Sequence, residues 1–215
     1  MDNQASQTEL HTWLNYVAFD KFPTDKLVCK RAIARVYEDD SNRYFNDRDD
    51  MLEHYGKDSF DIVVMCNVLH EISPSDWINT FKQDSLMNKL LSDSGSLLIV
   101  EDALIPSGEL PNKDGFFLLG TTELKTLFCI EPDDSCFISR SYNNENRLFA
   151  HLIPHKYLGN ISDASIKNAL ESLKDKCCDE IKKLRGQDNF KSGRLLGLWL
   201  QQLANSVIYL EQNTN

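Results

Sequence analysis

The seven residues from Phe60 to Cys66 (FDIVVMC) constrain this chain more than any other stretch. All but Asp61 are apolar, and Ile62, Val63 and Val64 are β-branched. A short unbroken run of this kind reads as a parallel strand covered on both faces. The residues downstream fit a sheet with helices against it. Ser75 to Leu91 spaces Trp77, Ile78, Phe81, Leu86, Leu90 and Leu91 as an amphipathic helix would. Ser92 to Gly95 reads as a turn, and Ser96 to Val100 (SLLIV) as a second buried strand closed by Glu101 and Asp102. Glu101 and Asp102 are candidates for paired carboxylates, but strand-end acids are usually solvated, and that is the expectation here.

The flanks extend the pattern. Trp13 to Phe19 (WLNYVAF) is a short apolar run ending at Asp20, with the composition of a buried strand. After Pro23 and Asp25, Lys26 to Tyr37 reads as a helix with Leu27, Cys29, Ile33 and Val36 inward, and Arg43 to Asn46 is a weaker strand. Beyond a Pro- and Gly-containing loop reaching Gly115, Thr122 to Phe128 reads as a short helix. Cys136 to Tyr142 and Arg147 to Ile153 flank the polar Asn143 to Asn146, which is a hairpin signal ended by Pro154. Two long helical patterns close the chain. Ile166, Ala169, Leu170, Leu173, Cys177, Ile181 and Leu184 mark one, and Leu196, Trp199, Leu200, Leu203, Val207 and Leu210 the other, with Gly186 to Gly193 joining them. Strands alternating with helices and then a hairpin imply an α/β class, mostly parallel with an antiparallel edge, plus a C-terminal helix pair. The expected division is a polar tail 1–12, an α/β domain 13–158 and a helical hairpin 159–215.

Composition narrows the function classes. The 215 residues, 41% of them hydrophobic, suffice for a well-packed core. The stretch Leu195 to Leu210 is broken by Gln201, Gln202 and Asn205, and the first ten residues have no basic or apolar leader pattern, so neither a membrane span nor a secretory signal is expected. Six scattered cysteines lack metal-ligand spacing and read as reduced thiols of a cytoplasmic protein. The net charge of −10 is concentrated in residues 1–160, where fifteen basic residues face twenty-six acidic ones. Such a surface repels phosphate backbones, so no direct nucleic-acid partner is expected.

The stretches FDIVVMCNVLHEISPSDW and LLSDSGSLLIVEDALIP are similar to the central strands of class I S-adenosylmethionine-dependent methyltransferases, and the resemblance spans roughly residues 13–155. It implies a Rossmann-like sheet in which Asn15 to Asp20 is the family's second strand and the hairpin its last two. By that resemblance Asp20 stands where a carboxylate accepts hydrogen bonds from the cofactor ribose, as two oxygens can from two hydroxyls. Asp47 stands beside the adenine position, and Cys66 and Asn67 lie where the backbone approaches the methionine end. All are expected on one rim of the sheet, where open α/β folds bind ligands. Each also has a plain local reading, Asp20 as the start of a turn. His70 and Glu71 are the catalytic candidates, because in related O-methyltransferases a His at this turn takes a proton from the acceptor, a task suited to imidazole near neutral pH. His151 and His155 straddle Pro154 and form no helical metal pair, so no metal site is expected.

The departure from the family is as informative. Its first strand ends in a glycine-rich loop where the backbone closes on the cofactor. None of the nine glycines here is closely paired with another or precedes the Asp20 strand, and only twelve residues lie ahead of Trp13. The sheet is therefore expected to be incomplete, lacking a central strand whose absence leaves backbone groups unpaired on both neighbours. Three resolutions exist: direct pairing of the remaining strands, a strand supplied by another polypeptide, or a chain that begins late. The leading expectation is a degenerate, non-catalytic binding or regulatory subunit, meeting a protein through the sheet edge or C-terminal helices and not holding S-adenosylmethionine on its own. One alternative is half of a methyltransferase completed by another chain, acting on a small-molecule hydroxyl, amine or carboxyl group. Another is an acidic adaptor using the C-terminal helices alone.

Overall fold

The computed structural model of the chain describes residues 12–37, 42–104, 111–142, 148–187 and 189–213. The chain forms two compact units, Met1–Gly56 and Lys57–Asn215. The C-terminal helices fall in the same unit as the larger sheet.

In the first unit, β1 (Ala18–Phe19) pairs in parallel with β2 (Tyr44–Phe45), with α1 (Lys26–Ala34) between them and α2 (Arg48–Tyr55) after. Ala18, Ile33, Tyr37 and Tyr44 form a small core. The strand expected over Trp13 to Phe19 is only two residues long, and Trp13 and Tyr16 are exposed rather than buried. Leu27 also faces outward, because the helical phase set by Ile33 and the partly buried Cys29 and Val36 turns it away.

The second unit holds β3 (Phe60–Cys66), α3 (Pro74–Phe81), α4 (Leu86–Leu90), β4 (Leu91–Asp102), α5 (Thr121–Leu127), β5 (Ile138–Tyr142), β6 (Leu148–Pro154), α6 (Asp163–Leu184) and α7 (Phe190–Gln212). The four strands lie in the order β3-β4-β6-β5. β3 and β4 are parallel, while β6 runs against both β4 and β5, so three strands point one way and the hairpin forms one edge. This is the mixed α/β class expected. The hairpin's tip, 143–147, and the loop segment 105–110 lie outside the described residues.

Two local differences have clear causes. The single helix expected from Ser75 to Leu91 breaks in two, since Ser85 caps a new start with its Oγ accepting the Asn88 N–H at 3.2 Å. The expected turn Ser92 to Gly95 is instead an irregularity within β4: the register passes from Phe60↔Leu91 directly to Ile62↔Ser96.

One face of this sheet is buried. Met65, Leu97, Ile99 and Ile153 join Trp77 and Phe81 of α3, Leu124 and Leu127 of α5, and Ile166, Leu170 and Leu173 of α6 in one core. α7 packs Trp199, Leu203 and Leu210 of its expected face against this core, with polar residues beside them. Ser192, Gln202, Ser206 and Tyr209 are its buried residues, while Leu200 is exposed. Gln202 is fully buried, and its Oε1 accepts the Leu118 N–H at 2.8 Å.

The other face is different. The expected cover on both sides of β3 is not found: among the described residues it is an edge strand, with Ile62 51% and Val64 54% exposed. The run of apolar residues therefore reports a strand built like an interior one but standing at a free edge. No helix among the described residues is long and apolar enough to cross a membrane.

Candidate functional site

The turn after β3 is the most tightly specified polar feature of the second unit. Asn67 takes a positive φ of 52°, which its side chain tolerates better than most. Its N–H donates to Val100 O at 2.8 Å, and its Oδ1 accepts the Asp102 N–H at 3.0 Å. The end of β3 is thereby laced to the end of β4. A single 3-10 turn, Leu69–Glu71, comes next. His70 is buried within it, packed edge-on against Phe116, and its Nδ1 pairs with Glu101 Oε2. The second carboxylate oxygen of Glu101 accepts the Leu69 N–H at 2.9 Å. The solvated strand-end acid expected at Glu101 is corrected: the residue is 6% exposed and grips the turn. The parallel register Cys66↔Val100 is the cause, since it sets the turn after β3 beside residue 101.

This arrangement anchors a loop. A proton acceptor must reach its substrate within hydrogen-bond distance, and His70 is 1% exposed with Nδ1 taken by Glu101. Glu71, beside it, is exposed, as is Cys66 at the strand's end.

The remaining candidates lie in the first unit, and their carboxylates are engaged locally. Asp20, directly after β1, donates its N–H to Phe45 O, and its Oδ1 accepts the Phe22 N–H at 2.9 Å, closing a turn. Asp47 caps α2, its Oδ1 accepting from the Asp49 and Asp50 N–H groups at 2.8 and 3.1 Å.

A second buried polar cluster is not apparent from the sequence. Glu123 of α5 is 2% exposed and accepts from the Gly120 N–H at 2.8 Å and from Ser172 Oγ at 3.2 Å, with Lys176 Nζ 3.4 Å away. Beside it His151 of β6 stacks on Phe137, with Thr121 Oγ1 3.0 Å from its Nε2. Its Nδ1 has no hydrogen-bond partner among the described residues. Burial, aided by the Lys176 charge, pushes the His151 pKa down to about 4, so it is neutral in this setting. Gly120 with Glu123 three positions on is the sequence signal that could have found the capping interaction. Among the described residues no group of three or more His, Cys, Asp or Glu side chains is placed to hold a metal ion.

No family model, curated protein or solved structure matches this chain.

Proposed function

We propose that this chain is a methyltransferase-like module that works by binding another protein and does not itself transfer methyl groups. The observation that carries the reading is that, among the described residues, the Ile62–Cys66 part of β3 stands at the edge of its sheet with Ile62 and Val64 exposed. An edge of that composition is normally blunted by charge, proline or cover, because it otherwise templates pairing with another chain. Exposed apolar surface that adjoins it favours the same use.

The Rossmann-like part of the reading draws support from the parallel β3–β4 pair followed by an antiparallel hairpin, the arrangement the family resemblance implies. The non-catalytic part draws support from the chemistry of the candidates. His70 is buried and paired, and the Asp20 and Asp47 oxygens serve a turn and a cap.

Isothermal calorimetry of the folded full chain with S-adenosylmethionine tests the reading. The expected result is no measurable heat of binding. Micromolar affinity would overturn it and return Asp20 and His70 to the cofactor and the chemistry.

A further inference from the structure

We infer that the outer face of α7 binds the same face of a second copy of this chain, with the two helices antiparallel about a two-fold axis. The inference rests on α7 alone and stands apart from the binding reading of β3.

The two C-terminal helices meet water differently. The exposed positions of α6 include Asp163, Lys167, Asp175, Asp179, Lys182 and Lys183, as suits a solvated face. Between Arg194 and Glu211 the exposed positions of α7 are Gly197, Leu200, Gln201, Ala204 and Ile208. They recur at three- and four-residue intervals and so form one stripe, turned away from the buried Gln202 and Ser206. Leu200 is 46% and Ile208 53% exposed. No charge falls anywhere from Leu195 to Leu210, although 26% of the chain is charged.

The glycines point the same way. Gly193 and Gly197 both lie inside the helix, where glycine is the poorest former after proline. A Cβ at either would meet no atom within 4 Å, so the described chain makes no use of the missing side chains. Bare backbone on an exposed face lets another backbone close upon it.

The occupant follows from the spacing and the charge. Arg194, Gly197, Gln201, Ala204, Ile208 and Glu211 are separated by three, four, three, four and three residues. That series reads the same in both directions, so an antiparallel copy meets it in register. Setting Arg194 level with Glu211 of the second copy also sets Gly197 level with its Ile208, and Gln201 with its Ala204. Each positive end then meets a negative one, and each projecting Ile208 meets a hollow. Self-complementarity of this kind is what a two-fold interface requires. A parallel copy would instead set Arg194 against Arg194 and Glu211 against Glu211, which opposes pairing. One helix pair is small beside a standard interface of about 1,600 Å², so the dimer should come apart on dilution.

Sedimentation equilibrium of the full chain tests this. The expected result is a dimer above roughly 100 μM that is a monomer below about 1 μM. Gly197→Leu should weaken the dimer at least tenfold. At monomeric dilution the same variant should keep or raise the urea midpoint, because leucine is the better helix former and its Cβ meets nothing. Arg194→Glu and Glu211→Arg should each weaken the dimer at least threefold, and the two together should restore it. A chain that stays monomeric at every concentration overturns the inference. So does a dimer that Gly197→Leu leaves intact, or one in which the two charge reversals fail to cancel. The binding reading of β3 stands under any of these outcomes, and the S-adenosylmethionine titration bears on that reading alone.

Discussion

Glu101 and His70 lie 31 positions apart and meet in the interior, where the carboxylate pairs with His70 Nδ1 and also receives the Leu69 N–H. The pair fixes how the chain leaves β3, and with it the free end of the edge proposed to bind. Removing one member of a buried pair leaves the other without compensation, which costs about 3–5 kcal/mol. Glu101→Ala should destabilise the chain by that order in urea unfolding. Glu101→Gln, which keeps an acceptor for Leu69, should lose less. Equal stability of both variants and the parent would show that the contact does not form.

His151 should make stability depend on pH. Its folded pKa is pushed down to about 4 by burial, while in the unfolded chain it titrates near 6.5. Below 6.5 the unfolded state takes up a proton that the folded state refuses. The stabilisation is therefore complete above about pH 6.5 and is lost as pH falls toward 4, by up to about 3 kcal/mol. His151→Gln should flatten the urea midpoint over that window relative to the parent. An unchanged slope would mean that the ring is solvated or charged in the folded state.

Gly115 is constrained twice over. Its φ is +95°, and a Cβ there would stand 2.3 Å from Asn205 Nδ2, the group that donates to Phe116 O. Gly115→Ala should cost about 1–3 kcal/mol through backbone strain and displacement of that link between the α5 approach and α7. Gly193→Ala meets nothing within 4 Å and lies inside a helix, so it should be neutral or slightly stabilising. A thermal melt of both variants decides the point.

Sequence is informative here where a pattern is local. FDIVVMC marks β3 to the residue, and the spacing of Ile166 through Ile181 marks the buried face of α6. It is less so where tertiary context chooses among similar residues. Gln202 looks like an interruption, yet it is buried beside Trp199, Leu203 and Leu210 with its Oε1 accepting the Leu118 N–H, while Leu200 at the margin of that face is exposed. Hydrophobicity alone points Trp13 and Leu27 inward, but the small core around Ile33 has no place for them. The His70–Glu101 pair depends on strand register, which side-chain composition does not reveal. Resemblance marks Asp20 and Asp47 as ligands, and both also satisfy the local turn and cap signals that the same residues carry.

The claim that β3 stands with one edge open is most directly tested by residue-resolved amide hydrogen exchange on the full chain, at a dilution where it is monomeric. The predicted result is alternation: slow exchange at Val63 and Met65, which bond to β4, and fast exchange at Ile62, Val64 and Cys66. Uniform protection along all five residues would show that the edge is already paired within the chain, and would contradict the account.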